Sequence, residues 1–231
     1  MSASNGSGTV LDELADLPSG GANGSTIWLH GMGQSGRTMR AVARAAALAQ
    51  RPGLRNIYLQ APLREVGLLS RDPVRAWMVQ RVTQLEQADP DELRSIGQRL
   101  RAVIDREADL VGPDRVILAG FSQGAALALM LGLSHRRRLA AIVAYASPPF
   151  NGLGSGTTRL APNRGLSIWL GHGSDDGAVP VAVGRTIRDG LVRSGYDVHW
   201  HEYPAGHRPF AGAEADLARF VTSAIGLAGP A

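Results

Sequence analysis

Residues 115–119, Arg-Val-Ile-Leu-Ala, run straight into Gly120-Phe121-Ser122-Gln123-Gly124, and an Ala- and Leu-rich stretch, 125–133, comes next. A short apolar run, a glycine-bracketed turn and then helix formers predict a strand, a sharp turn and a helix in immediate succession. Such a unit belongs in a parallel sheet covered by helices on both faces. The rest of the chain keeps the same alternation. Strand-like runs fall at 26–30, 56–59, 115–119, 140–146, 166–170 and 197–203, and helical stretches at 37–50, 90–110, 123–133, 181–194 and 213–225. Within 90–110 the apolar positions Leu93, Ile96, Leu100, Val103 and Ile104 form one helical stripe, which packs onto a sheet. The expected fold class is therefore α/β, with a mostly parallel central sheet and helices on both faces.

At 231 residues the chain suits one such domain, expected over 25–231. The Gly-, Ser- and Asn-rich segment 1–24 is expected to be flexible for most of its length, with 10–17 docking or forming one helical turn. Two segments break the alternation, 61–81 and 147–165, and both are rich in Pro or Gly. Each follows a strand, so each is expected at the carboxyl edge of the sheet, where open α/β folds bind ligands.

Composition excludes several chemistries. There is no cysteine, hence no disulfide, thiolate metal site or Cys nucleophile. All 24 basic residues are arginine, so a Walker A lysine, a pyridoxal Schiff base and a Ser-Lys dyad are ruled out. No run of about 18 apolar residues predicts a transmembrane helix, and the N-terminus lacks the pattern of a signal peptide. A cytoplasmic protein is expected. The formal charge is +4, and Arg136-Arg137-Arg138 stands without interleaved aromatics, which fits a solvated helix end better than a nucleic-acid site. No cofactor and no metal are expected.

The G-x-S-x-G turn at Ser122 fits a nucleophile elbow, although a plain Gly/Ser turn has the same letters. A serine hydroxyl is a weak nucleophile, so an imidazole must take its proton and a carboxylate must orient that imidazole. Downstream, the strand at 166–170 leads into a loop holding Asp175 and Asp176. The strand at 197–203 leads into Pro204-Ala205-Gly206-His207. Serine, acid and histidine thus stand in the chain order of α/β-hydrolases, with either aspartate eligible. His172 precedes the acids on their loop and reads as structural. His199 and His201 mark the polar face of a strand, and His135 lies beside the arginine cluster. An oxyanion needs two backbone donors, one expected from Gln123 and one from the loop His30-Gly31-Met32-Gly33-Gln34-Ser35-Gly36. That loop also matches G-x-G-x-x-G, but a dinucleotide site needs an acidic residue about 20 positions on. No Asp or Glu occurs between Asp16 and Glu65.

Trp28-Leu29-His30-Gly31-Met32-Gly33, Gln60-Ala61-Pro62, the Ser122 motif, His172-Gly173 with Val179-Pro180, and Gly206-His207 together resemble the phospholipase/carboxylesterase family, which includes acyl-protein thioesterases and bacterial carboxylesterases. The likeness runs from about residue 25 to 226 and implies an α/β-hydrolase fold. It also implies that the acid is Asp176, three residues before the Val of Val-Pro, and that Met32 and Gln123 supply the oxyanion amides. The sequence departs from the family at Ala125, at Gly177-Ala178 and at Trp77-Met78-Val79, and the N-terminal hairpin of larger hydrolases looks absent or degenerate.

The expectation is a serine hydrolase that cleaves carboxylic esters or thioesters through an acyl-enzyme on Ser122, with Asp176 and His207. Gln123 is expected to matter chiefly through its backbone N–H, its side chain far less than Ser122. The substrate would be a small-molecule or lipid-like ester or thioester, and a homodimer stays open. An acyltransferase with the same triad and a non-catalytic binding protein on this scaffold are the alternatives.

Overall fold

The computed structural model describes residues 11–66, 72–79, 89–150 and 163–227. Most of 147–165, parts of 61–81 and the first ten residues lie outside that range. Seven strands form one sheet in the order β1-β3-β2-β6-β7-β8-β9. They are β1 (Glu13–Asp16), β2 (Gly24–Leu29), β3 (Leu54–Leu59), β6 (Val116–Phe121), β7 (Ala141–Tyr145), β8 (Ser167–Gly173) and β9 (Asp197–Tyr203). All adjacent pairs are parallel except β1 with β3. A short ladder of β4 (Leu63–Arg64) and β5 (Val74–Arg75) stands apart. The helices are α1 (Gly36–Ala45), α2 (Pro90–Val111), α3 (Gln123–Leu133), α4 (Val181–Arg193) and α5 (Glu214–Ala224).

The sheet divides its side chains by parity, as a pleated strand must. Ile27, Leu29, Leu118, Ile142 and Leu170 face one core with α2, α3 and α4. Trp28, Ile117, Ala119, Val143 and Trp169 face the other with α1 and α5. Both faces are covered, which is why the strands read as unbroken apolar runs. Helix α3 is buried on nearly every side, consistent with its lack of a polar stripe.

Within segment 10–17, expected to dock or to form one helical turn, Glu13–Asp16 pairs with β3 as an edge strand. Asp16 is tied to the Arg40 guanidinium and the Tyr58 hydroxyl, and Glu13 pairs with Arg106. Among the described residues, one antiparallel edge strand stands where the sequence suggested an absent or degenerate hairpin. Helix α1 stops at Ala45, short of the expected 50. Ala47 takes a left-handed φ of 53° and the Leu48 N–H returns to the Ala43 carbonyl, closing a Schellman-type cap. No glycine marks that stop, and the buried Leu48 and Ala49 carry the apolar periodicity past it.

A buried carboxylate fastens α2 to the sheet. Glu107 accepts from the Ser25 hydroxyl at 2.8 Å and from Arg55 at 2.8 Å, and it pairs with Arg106. Burial pushes the Glu107 carboxyl up, but the Arg55 and Ser25 hydrogen bonds and the nearby arginine charges outweigh it and hold it below 4.5. A carboxylate depressed in the folded state adds stability above its unfolded pKa and loses it as pH falls through the folded one. Glu107→Gln is expected to cost about 2 kcal/mol at pH 7. In urea titrations the gap to wild type should narrow as pH falls below 4.5. An unchanged gap would mean that the charge is not what stabilises.

Candidate active site

The chain leaves β2 on one side for β3 and returns on the other for β6, so the order in which strands are added reverses between β2 and β6 while the two stay parallel. Loops after those two strands diverge there and open a crevice at the carboxyl edge. Ser122 stands in this crevice at the end of β6, with φ 51° and ψ −120°. Such a φ is strained for any residue with a Cβ and persists only where the surroundings impose it. Two surroundings do so here. The Ser122 N–H donates to the Tyr145 carbonyl at 2.9 Å, and its carbonyl accepts from Ala125 and Ala126, which starts α3. The flanking glycines allow the fit. A Cβ on Gly120 would collide with the Gly124 backbone, and one on Gly124 with the Leu29 and His30 carbonyls.

The loop after β8 carries the carboxylates. The Asp176 side chain is buried, with Oδ1 accepting the Ala178 and Val179 amides at 2.9 and 2.8 Å. Its Oδ2 lies 2.7 Å from His207 Nδ1. Asp175 is exposed, and among the described residues its carboxylate accepts only from the Ser174 hydroxyl. His207 Nε2 lies 3.0 Å from Ser122 Oγ. With Nδ1–H donated to Asp176, Nε2 carries a lone pair and accepts the serine proton. Ser122, Asp176 and His207 are thus joined in one relay, drawn from the ends of β6, β8 and β9. The Phe121 ring lies against the imidazole, centroids 4.8 Å apart.

His172 sits below the acid, its Nε2 2.8 Å from the Val179 carbonyl and 3.6 Å from Asp176 Oδ2. Burial lowers its pKa, so it stays a neutral N–H donor that holds the acid loop. The structural role expected for His172 therefore takes a specific form. His199 and His201 share one face of β9: His199 is exposed with its ring edge-on to Phe220, and His201 stacks on Trp169. His135 is buried against α2 near Asp105, and the neighbouring arginines pair with Asp105 and Asp109.

The loop after β2 is held close to the elbow. Gly31 N–H goes to the Gln34 side chain, Gly33 N–H to the Arg75 carbonyl at 2.8 Å and Gln34 N–H to the Gly31 carbonyl. Among the described residues no acceptor meets the Met32 N–H, which leaves it available for a ligand. Gln123 opens α3, where first-turn amides point out of the helix end. His30 is buried below: its Nδ1 donates to the Gly31 carbonyl and its Nε2 accepts the Ala61 N–H. Burial pushes that imidazole down to about 4, so it is neutral.

Sequence reasoning missed three contributors. The Gln123 carboxamide, the Trp77 indole and the Phe210 ring are all buried at the site's base. Phe210, with φ 53°, wedges the histidine loop between Trp28, Tyr145 and Trp169. An aromatic three residues after the histidine was the only signal for it.

The phospholipase/carboxylesterase family profile matches residues 18–225. The chain belongs to the phospholipase/carboxylesterase family. Acyl-protein thioesterase 1 of Yarrowia lipolytica is 30% identical to it over 197 residues, 81% of this chain and 86% of that protein. Acyl-protein thioesterase 1 of Mycosarcoma maydis is 27% identical over 94% of this chain and 98% of its own. The solved structure of esterase PE8 superposes with a TM-score of 0.73 at 26% identity, covering 93% of this chain and 99% of that one. Acyl-protein thioesterase 2 of Zea mays, at 20% identity over 93% and 99% of the two chains, superposes with a TM-score of 0.75 and bears on the fold alone. The fold is that of the α/β-hydrolases, and this family member is a hydrolase of the ester and thioester type. No helix among the described residues is long and apolar enough to cross a membrane.

Proposed function

We propose that this hydrolase works by serine catalysis, with Ser122 as nucleophile, His207 as general base and acid, Asp176 as the orienting carboxylate, and the Met32 and Gln123 amides as oxyanion donors. The observation that carries this reading is the relay from Ser122 Oγ to His207 Nε2 at 3.0 Å and from His207 Nδ1 to Asp176 at 2.7 Å. His207 Nε2 takes the hydroxyl proton as Oγ bonds to the acyl carbon, and the carbonyl electron pair moves onto oxygen. The two amides meet that negative charge as preorganised hydrogen-bond donors. Collapse breaks the bond to the alcohol or thiol, which leaves with the proton from His207. Water then adds to the acyl-enzyme, gives its proton to His207, and the acid departs with Ser122 Oγ regaining that proton. The substrate class is a carboxylic ester or thioester of a small or lipid-like acyl group, in keeping with the thioesterases and esterases the chain resembles.

A fluorophosphonate probe followed by peptide mass spectrometry is expected to find the adduct on Ser122 alone. A panel of p-nitrophenyl esters and acyl thioesters of rising chain length then ranks the substrates. Hydrolysis of the panel without any Ser122 adduct would refute a serine mechanism.

A further inference from the structure

We propose, resting on the serine mechanism above, that the Gln123 carboxamide is a positioning residue: it couples the serine elbow to the oxyanion loop through the strut 75–78. The carboxamide is buried and reaches across to a segment 46 residues earlier in the chain. Its Oε1 accepts the Trp77 N–H at 2.8 Å, and its Nε2 donates to the Met78 carbonyl at 3.1 Å. From there the strut makes two contacts with the loop that bears Met32. The Trp77 indole N–H donates to the His30 carbonyl at 2.7 Å, with its ring 5.0 Å from the His30 ring. The Arg75 carbonyl accepts the Gly33 N–H at 2.8 Å. The His30–Gly31 and Met32–Gly33 peptide units, which bracket the unit bearing the Met32 N–H, are thereby held by a segment that Gln123 holds in turn.

A simpler role, tethering a loop, does not account for this pattern. The strut already has other tethers. Arg75 donates to the Ala61 carbonyl, Arg64 to the Ala76 carbonyl, and Glu92 accepts the Val79 N–H. None of these reaches the elbow. Among the described residues, Gln123 is the one whose hydrogen bonds register the strut against Ser122, and it does so from the residue whose own amide is the other oxyanion donor. Both donors must lie within hydrogen-bond distance of a single developing oxyanion, so a shift of either one weakens catalysis without weakening substrate binding.

The test uses Gln123→Met, which keeps length and burial but loses both hydrogen bonds, and Trp77→Phe, which keeps a ring but loses the indole donor. Rates are taken per active site, titrated with the fluorophosphonate. Each variant is expected to lose roughly 10- to 100-fold in kcat with KM little changed, the range for a displaced oxyanion donor. The affinity for a trifluoromethyl ketone, whose hemiketal carries an oxyanion, should fall by the same factor. The double variant should lose little more than either single one, because both cut one connection. If Gln123→Met does not fold, Trp77→Phe alone carries the kinetic and inhibitor readouts. Rates per titrated site within about threefold of wild type, or a loss confined to KM, would overturn the proposal. Absence of a Ser122 adduct in the wild-type protein would instead sink the serine mechanism, so the two failures are distinguishable.

Discussion

Replacing Ser122 with alanine is expected to lower kcat on the best ester substrate by about 10⁶. The size follows from what Ser122 alone supplies. The elbow projects its Oγ to 3.0 Å from His207 Nε2, and no other described hydroxyl contacts that imidazole. Removing it leaves only the oxyanion amides and binding, which speed direct attack by water modestly. KM should change little, since the side chain lost is small. Circular dichroism of Ser122→Ala should match wild type, because alanine carries the same backbone strain at φ 51°. A variant that kept more than about a hundredth of the wild-type rate, free of wild-type contamination, would end the assignment of Ser122 as nucleophile.

Asp176→Asn is expected to cost on the order of 10⁴ in kcat, a result the local hydrogen bonds make specific. Two backbone amides, Ala178 and Val179, point at Asp176 Oδ1 and require an acceptor there. An asparagine must therefore place its oxygen at that position and turn its NH₂ towards His207 Nδ1. The imidazole then accepts at Nδ1 and carries its proton on Nε2, facing Ser122 Oγ. In that tautomer it cannot take the serine proton. Asp175→Asn, by contrast, alters an exposed side chain that accepts a hydrogen bond from Ser174, and its rate should stay within about twofold of wild type. The pair of variants is compared by kcat per titrated site. The opposite ranking would move the orienting role to Asp175.

How much of this was legible differs from element to element. Strand β9 matches its expected range, and α3 starts and stops where the Gln123–Leu133 composition says it should. Both are decided locally, by apolar period and by turn residues. Helix α1 overran in the reading because its cap at Ala47 has no glycine; the left-handed turn is stabilised by the burial of Leu48 against the sheet, a tertiary effect. For the edge strand β1 the sequence leaves docking and a single helical turn open, for a related reason. A four-residue segment, Glu13–Asp16, has no periodicity to detect, and what orders it is pairing with β3 and the contacts of Asp16 and Glu13 with Arg40 and Arg106.

The candidate site divides in the same way. Ser122, the Asp pair and His207 could be singled out from the chain because their chemistry depends on residue type, and their placement on the order of strands and loops. That order, with the absence of lysine and cysteine, excludes a Ser-Lys dyad and a Cys nucleophile and leaves a serine hydrolase as the expectation, with an acyltransferase or a non-catalytic binding protein as alternatives. Which aspartate meets the imidazole was not decided by order or spacing alone. Asp176 does so because Val179 and Ala178 cap its other oxygen and His172 braces its loop from below, contacts that exist only once β8 and its loop are folded. The same holds for Gln123. Its letter marked a backbone N–H beside the nucleophile, while its side chain acquires a partner only when residues 77 and 78, far away in sequence, are packed against it. Sequence determined which groups are present and in what order they meet the sheet edge. Tertiary structure decided which atoms face one another, because a hydrogen bond depends on distances of a few tenths of an ångström that no spacing along the chain encodes.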